Sequence, residues 1–423
     1  MKQAVHWHGL LRQARATRLE GTVDASVVVV GGGITGLSCA QRLRAAGASV
    51  ALVERDSCGS GASGRSSGFI TPASEIELRS LVSRCSVAEA RRIWEFVRSG
   101  VEAIRANIHT NRFDCDFQVQ DSLFVANDRS GRREALEEHA ARLQLGYPSL
   151  LLERGSLGEA LGTKRYAAGV RYGETFAIDP YAYCRALREL LAQRGVQIFE
   201  ASPVAQVLPD GVATADGRVR AEHVVVCTDR FIPELGLLED EIYHAQTFLA
   251  ISAPLSEQAM SAIFPKGCAM TWDSSLIYHY FRATGDRRIL LGGGALRRTY
   301  ARRPALSLES ITRRAAKYFA RRFPGVPLEL ESAWSGMLGV SKDLLPIMAA
   351  DPRHPTVWYV GAATGLPWGT ALGIYAAERI LAQRKDFDEA FSPRRKFAIG
   401  HRLQSVLRTP LTFAICNGIA KLS

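Results

Sequence analysis

Cysteine occurs in this sequence in none of the spacings that give it chemistry. Cys39, Cys58, Cys85, Cys115, Cys184, Cys227, Cys268 and Cys416 form no C-x-x-C pair and no Cys/His grouping. That argues against a metal site or a disulfide framework and for reduced thiols, several of them in a core. Long apolar runs are missing too: no stretch approaches the ~18 apolar residues of a membrane-spanning helix. The first 25 residues set Lys2, Arg12, Arg15 and Arg18 among His6, His8 and Glu20 and hold no apolar segment with a small-residue cleavage site, so a cytoplasmic protein is expected. Acids are absent from 393 to 423, where six basic residues stand, Arg394, Arg395, Lys396, Arg402, Arg408 and Lys421. Arg297 to Arg322 sets nine basic residues against Glu309, and the rest of the chain sums to −3 of the total +11. A nearly neutral body with two basic zones follows, and nucleic-acid binding is not expected.

The 423 residues are enough for two or three domains at ~150 residues each, and 47% hydrophobic with 22% charged residues is the balance of a globular protein. Ala25 to Val30 is a β-branched run suited to a parallel strand buried on both faces. Gly31-Gly-Gly33-Ile34-Thr35-Gly36 follows at once, then a helical period to Gly47 and a second strand, Ser49 to Val53, ending in Glu54. This βαβ unit puts G-x-G-x-x-G at a strand's carboxyl end, where the helix N-terminus offers N–H groups to a pyrophosphate and the acid offers its carboxylate to a ribose. Gly59 to Pro72 is dense in Gly and Ser around Arg65, too polar for a core strand and placed to donate N–H groups and hydroxyls to a cofactor.

Residues 75 to 110 read as one helix, with others at 132–145 and after Asp179. His223 to Cys227 returns to the first sheet, so the first domain is discontinuous. Alternating strands are expected at 247–252, 275–282 and 288–294, forming a second sheet. Residues 306–323 read as a helix with Arg313, Arg314, Lys317 and Arg321 on a solvated face. A last strand, glycine turn and helix run through Gly361, Gly365, Leu366, Pro367, Trp368 and Gly369.

Four features in this order resemble the FAD-dependent D-amino-acid oxidase-like amine and amino-acid oxidoreductases: the Gly31–Gly36 fingerprint with Glu54, G-A-S-G-R-S-S-G at 61–68, W-S-G followed by D-L-L-P at 334–346, and the late glycine cluster. The resemblance implies an α/β fold: a discontinuous Rossmann-like FAD-binding domain (25–85, 175–235 and 330–392), a mixed or antiparallel-sheet substrate domain (86–174 and 236–329), an N-terminal extension (1–24) and a basic C-terminal extension (393–423). It places Gly31, Gly33, Ile34, Thr35 and Gly36 at the pyrophosphate and Glu54 and Arg55 at the adenosine ribose. Gly61, Ala62, Ser63, Arg65, Ser66, Ser67 and Gly68 would run from pyrophosphate to flavin, and Val204 and Thr228 beside adenine. Gly336, Gly361 and Gly365 to Gly369 would border the flavin. Some members attach FAD through a His after the glycine-serine segment or a late Cys. Here Phe69 follows Gly68 and the late cluster has no Cys, so FAD is expected to be non-covalent.

The implied reaction is hydride transfer to flavin N5 from the carbon bearing an amine, the imine then being hydrolysed, with oxygen or a quinone as electron acceptor. Such chemistry needs orienting groups more than a general base. Tyr278, Tyr280 and Arg282 alternate on one face of their strand, either lining a pocket in which Arg282 pairs with a carboxylate or facing water. Lys342 is either flavin-adjacent or a solvated loop residue, and Trp368 is expected beside the flavin. The C-terminal tail mixes cations with apolar residues, suiting either a peripheral contact with the inner face of a membrane or a helix packed on the FAD domain. Two other functions stand beside amine oxidation: an FAD-dependent dehydrogenase of a C–OH substrate, and a flavin-containing binding or assembly protein without turnover.

Overall fold

The computed structural model describes residues 2–9, 17–238, 241–294, 297–298 and 308–395. Its first sheet grows from the run of valines. Gly21–Val30 pairs in parallel with Val50–Val53 on one side and Gly217–Val226 on the other, and Val27 to Val30 are at most 3% exposed. Val50–Val53 carries Gln197–Phe199 at its outer edge, and Gly217–Val226 carries both the hairpin 206–213 and Val357–Gly361. The chain thus leaves and re-enters this sheet twice. The first crossover is the helix Ile34–Ala45, which packs against the late helix Leu366–Ile380.

The second sheet is mixed and has ten strands. Its centre is antiparallel, Tyr243–Ser252, Ile289–Gly293, His279–Ala283 and Ala269–Asp273, and Asp121–Ala126 joins in parallel beyond. Two pieces expected elsewhere belong here. Leu330–Val340, assigned above to the FAD-binding part, pairs along its length with Tyr243–Ser252. Lys2–Gln3 adds at its edge, opposite Ser332 and Ala333, so part of the N-terminal extension is structural. A small third sheet joins Phe69–Ile70 and Gln118–Val119 to Phe176–Ala177.

Three local expectations are corrected. The helix expected from 75 to 110 is two, Leu78–Arg84 and Val87–Asn111. Ser86 breaks it by accepting the Glu89 N–H, the Ser-x-x-Glu start signal. The strand expected from 275 begins at His279, because Asp273 Oδ1 accepts the N–H groups of Ser275 and His279 and rounds the chain between them. The first strand begins at Gly21 rather than Ala25. The helix Glu309–Arg322 does present Arg313, Arg314, Lys317 and Arg321 outward and bury Ile311, Ala315 and Phe319. The seven described cysteines are unpaired, five of them buried. Cys416, Arg302, Arg303, residues 10–16 and the tail from 396 lie outside the described residues. No described helix is long and apolar enough to cross a membrane.

Candidate active site

The fingerprint folds as its glycines require. Gly31 has φ +105°, and a Cβ on Gly36 would lie 2.0 Å from Gly31 O, a contact only glycine avoids. The helix behind them opens at Ile34, whose N–H donates to Ser63 Oγ at 3.0 Å. Glu54 sits at the end of the second strand. Its Oε2 accepts the Gly32 N–H at 2.7 Å and its Oε1 the Asp56 N–H at 2.9 Å. Burial nevertheless pushes its carboxyl up from the ordinary value. A carboxylate has about four acceptor positions, so two remain for a ribose.

Around this turn lie buried polar atoms without a protein partner: Thr228 Oγ1, Arg230 Nη1, Thr364 Oγ1 and Thr370 Oγ1. Thr228 stands beside Gly31, and Thr364 and Thr370 flank the start of the late helix. A buried unpaired polar group costs about 1–3 kcal/mol, so four of them mark a place shaped for a ligand rich in phosphate and hydroxyl groups. A Cβ on Gly369 would lie 2.8 Å from Thr35 Oγ1 and from Ile34 Cγ2. Two helix N-termini, with their positive dipole ends, therefore meet here. This donor set fits FAD. Arg230, absent from the sequence expectations, is a candidate contact; it and Arg55 lie over the Phe231 ring at 3.8 Å each. Val204 packs at the edge of the neighbouring core.

The glycine-serine segment is gripped by its carbonyls. Trp334 Nε1 donates to Arg65 O at 2.9 Å, Trp7 Nε1 to Ser66 O at 3.1 Å, and Arg282 Nε to Ser67 O at 2.6 Å. Gly68, at φ +71°, comes so close to Ile178 O that a Cβ would lie 2.0 Å from it. Arg65 donates to Ser60 O, Ser63 faces the helix start, and Gly61 and Ala62 form the exposed outer rim.

Arg282 is corrected by this geometry. It is fully buried, and besides Ser67 O its guanidinium donates to Ala283 O at 2.9 Å and Ile178 O at 2.7 Å. It clamps main chain instead of waiting for a substrate carboxylate. Burial pulls it down to about 10, which leaves it charged at neutral pH. Trp368 packs its ring in the core against Phe96 and Phe391, and its buried Nε1 has no protein partner. Pro367 O packs against Gly100. Gly361 lies against Ile232 and Ile242, and Gly336 opposite Thr247, both as packing positions. Leu366 opens the late helix. Lys342 is partly buried in the turn whose Asp343 pairs with Arg395 at 2.6 Å.

Tyr278 and Tyr280 stand in an aromatic cluster that also takes in Phe69 and Trp272, beside carboxyls that the sequence did not single out. Their rings are 5.7 Å apart, and Phe69 meets Tyr280 edge-on at 5.6 Å. Gly292, opposite Tyr280, leaves the space its ring fills. The chain after Phe69 runs along this wall to Glu75 and Glu77. Tyr278 OH donates to Ser74 O at 3.3 Å, and Trp272 Nε1 to Glu77 Oε1 at 2.6 Å. A Cβ on Gly365 would lie 2.5 Å from Ser74 Cβ, so this segment also touches the turn that opens the late helix. Burial pushes Glu75 up to about 7 and, with Glu138 nearby, Glu77 up to about 8. Both keep part of their surface open. A cavity of about 700 Å³, bordered by Trp94, Arg142, Tyr147 and Tyr172, lies beside the helices Val87–Asn111 and Arg129–Gln144.

The chain is similar to known proteins. A family model described as FAD dependent oxidoreductase matches residues 26–379. The gamma-glutamylputrescine oxidoreductase of Escherichia coli is 27% identical over 339 residues, covering 78% of this chain and 77% of that one. The probable oxidoreductase OrdL of Haemophilus influenzae is 27% identical over 281 residues, 63% of this chain and 64% of OrdL. The matched stretch thus spans less than two thirds of OrdL's length. The solved glycine oxidase of Geobacillus kaustophilus has the same fold, with a TM-score of 0.76 at 17% identity over 89% of this chain and 100% of that one.

Proposed function

The chain belongs to the FAD-dependent oxidoreductase family, with FAD as its cofactor, and from that premise we propose that it oxidises the C–N bond of a small amine or amino acid. One observation carries this reading: Ser74, whose chain continues into Glu75 and Glu77 beside the aromatic cluster, packs against Gly365, at the helix start that the cofactor's donor set surrounds. Bound there, FAD supplies the acceptor that takes a hydride, at its N5, from the carbon bearing the amine, and water hydrolyses the resulting imine to a carbonyl compound. The chain's own part is to bind and orient. Gly31, Gly33, Ser63, Arg65, Thr228 and Arg230 hold the phosphate and ribose end. Phe69, Tyr278, Tyr280 and Trp272 enclose the substrate and displace water from it. Phe69 in place of a His after Gly68 supports non-covalent FAD.

A C–OH substrate bearing phosphate would draw its support from the basic zones. The described cations of the helix Glu309–Arg322 face solvent, while Arg282, beside the tyrosines, is held by carbonyls and is not free for a phosphate. An assembly protein without turnover is separated by experiment. Anaerobic titration of the yellow protein with amines, amino acids and hydroxy acids is expected to bleach the flavin band with a nitrogen substrate. Recovery in air reads the acceptor, fast for oxygen and slow for a quinone. Bleaching by hydroxy acids alone, or by nothing, overturns the proposal.

A further inference from the structure

Resting on that reading, we infer that the pocket selects a cationic amine with no carboxylate on the amine-bearing carbon, and that Glu75 and Glu77 are the residues that set this preference. The argument is one of charge and of what remains free to pair. An α-amino acid presents a carboxylate beside its nitrogen, and a site that accepts it needs a cation or several N–H donors there. Arg282 is the guanidinium on the tyrosine face of the sheet, and its three bonds to Ser67, Ile178 and Ala283 carbonyls hold it inside the wall.

The cations nearest Glu77 are taken as well. Arg79 pairs with Glu134 at 2.6 Å, and Arg142 pairs with Glu138 at 2.7 Å while its guanidinium covers the Tyr172 ring at 3.4 Å. Arg79 lies 4.0 Å from Glu137 as well, so neither guanidinium is left free for a substrate carboxylate. Glu77 Oε1 is bound by the Trp272 indole, whereas Glu77 Oε2 is shut from solvent with no partner. Once the carboxyl is ionised, that lone oxygen suits an incoming N–H donor.

The walls agree with the charge. Phe69, Tyr278, Tyr280 and Trp272 gather their rings within 5.6 to 6.5 Å of one another in successive pairs. Aromatic faces attract an ammonium and do nothing for a carboxylate. Four rings and two carboxyls suit a cation, and an α-carboxylate placed among them would find no free guanidinium and, once the carboxyls ionise above about 7 and 8, would meet like charge.

The test uses the FAD-loaded protein and two ligands of equal shape that cannot be oxidised, tert-butylammonium and pivalate. At pH 9, above both raised carboxyl values, calorimetry and flavin difference spectra are expected to show the ammonium binding at least about tenfold tighter. Glu75→Gln and Glu77→Gln should each weaken that binding about tenfold or more, with FAD content and melting temperature unchanged. Glu77→Gln keeps an acceptor for Trp272, and if it still fails to fold, Glu75→Gln alone decides. Equal or tighter pivalate binding, or wild-type ammonium affinity in the variants, overturns the inference. Amino acids and their decarboxylated amines are then compared as flavin reductants. Equal rates overturn the inference and leave amine oxidation standing, whereas bleaching by neither defeats the proposed function itself.

Discussion

Replacing Trp7 with Phe tests whether the N-terminal segment holds the cofactor loop. The ring would stay, with its edge contact to Trp334 at 6.2 Å and Arg282 over it at 5.5 Å. The indole N–H that reaches Ser66 O across 59 residues of sequence would be lost. A buried carbonyl left without its donor costs about 1–3 kcal/mol. Ser66 is partly buried, so the lower half applies, about 1–2 kcal/mol. If the unpaired Ser66 peptide relaxes in the free loop but must be restored to receive FAD, that energy appears in binding. At about 1.4 kcal/mol per factor of ten, the FAD dissociation constant should rise roughly 5- to 30-fold. Quenching of FAD fluorescence on titration into apoprotein measures it, and a melting curve of the apoprotein separates a general loss of stability. Trp7→Phe binding FAD as wild type, together with Trp7→Ala doing the same, would refute the reasoning.

Gly36→Ala puts a methyl 2.0 Å from Gly31 O. Overpacking costs about 1–3 kcal/mol, so FAD affinity should fall tenfold or more, and a variant that purifies fully yellow contradicts this. Glu138→Gln strips the partner from Arg142 in an ion pair whose side chains are 0% and 3% exposed. Breaking such a pair costs about 3–5 kcal/mol, read as a lower urea midpoint, and an unchanged midpoint counts against it. Glu75, raised from 4.5 to about 7 by burial, is neutral in the folded protein below that pH. Stability from the neutral form is full below its ordinary value and is lost as pH rises through about 7. Tyr278 and Tyr280 face it, both pushed far up and so neutral throughout. An alkylammonium keeps its charge to ~10.4, so its binding should tighten as pH rises through about 7, a step that Glu75→Gln removes while leaving the one Glu77 sets near 8. A flat profile in the wild type refutes this.

The cofactor cradle was legible in the sequence because it is local. Gly31, Gly36 and Glu54 lie within one βαβ unit, and each is demanded by the backbone conformation or hydrogen bonds of its own neighbours. The amphipathic helix Glu309–Arg322 was legible for the same reason, since periodicity decides it. The pocket was not. Glu75 and Glu77 lie on an irregular segment with no period to read, and only the fold sets Trp272, 195 residues away, against Glu77. Arg282 was placed on the correct face of its strand, but its partners are carbonyls, and every residue type carries one. The helix break at Ser86 did carry a signal, its capping Glu89, which the apolar spacing around it concealed.

That Arg282 binds carbonyls instead of substrate changes what the second sheet contributes. In a planar trans peptide the C=O of one residue and the N–H of the next point in opposite directions. Trp334, Trp7 and Arg282 hold the C=O groups of Arg65, Ser66 and Ser67, so the N–H groups of Ser66, Ser67 and Gly68 face away from those donors. The cation lies at the carbonyl end of the Ser67–Gly68 peptide, where it draws electron density from the amide and strengthens its N–H as a donor. A loop of glycine and serine has little order of its own and would lose much entropy on meeting a ligand. Here three side chains from the N-terminal segment, the tyrosine strand and Leu330–Val340 fix it beforehand. The sheet that encloses the pocket therefore also sets the cofactor loop, and damage to one edge of it should be felt as lost flavin before it is felt as lost substrate.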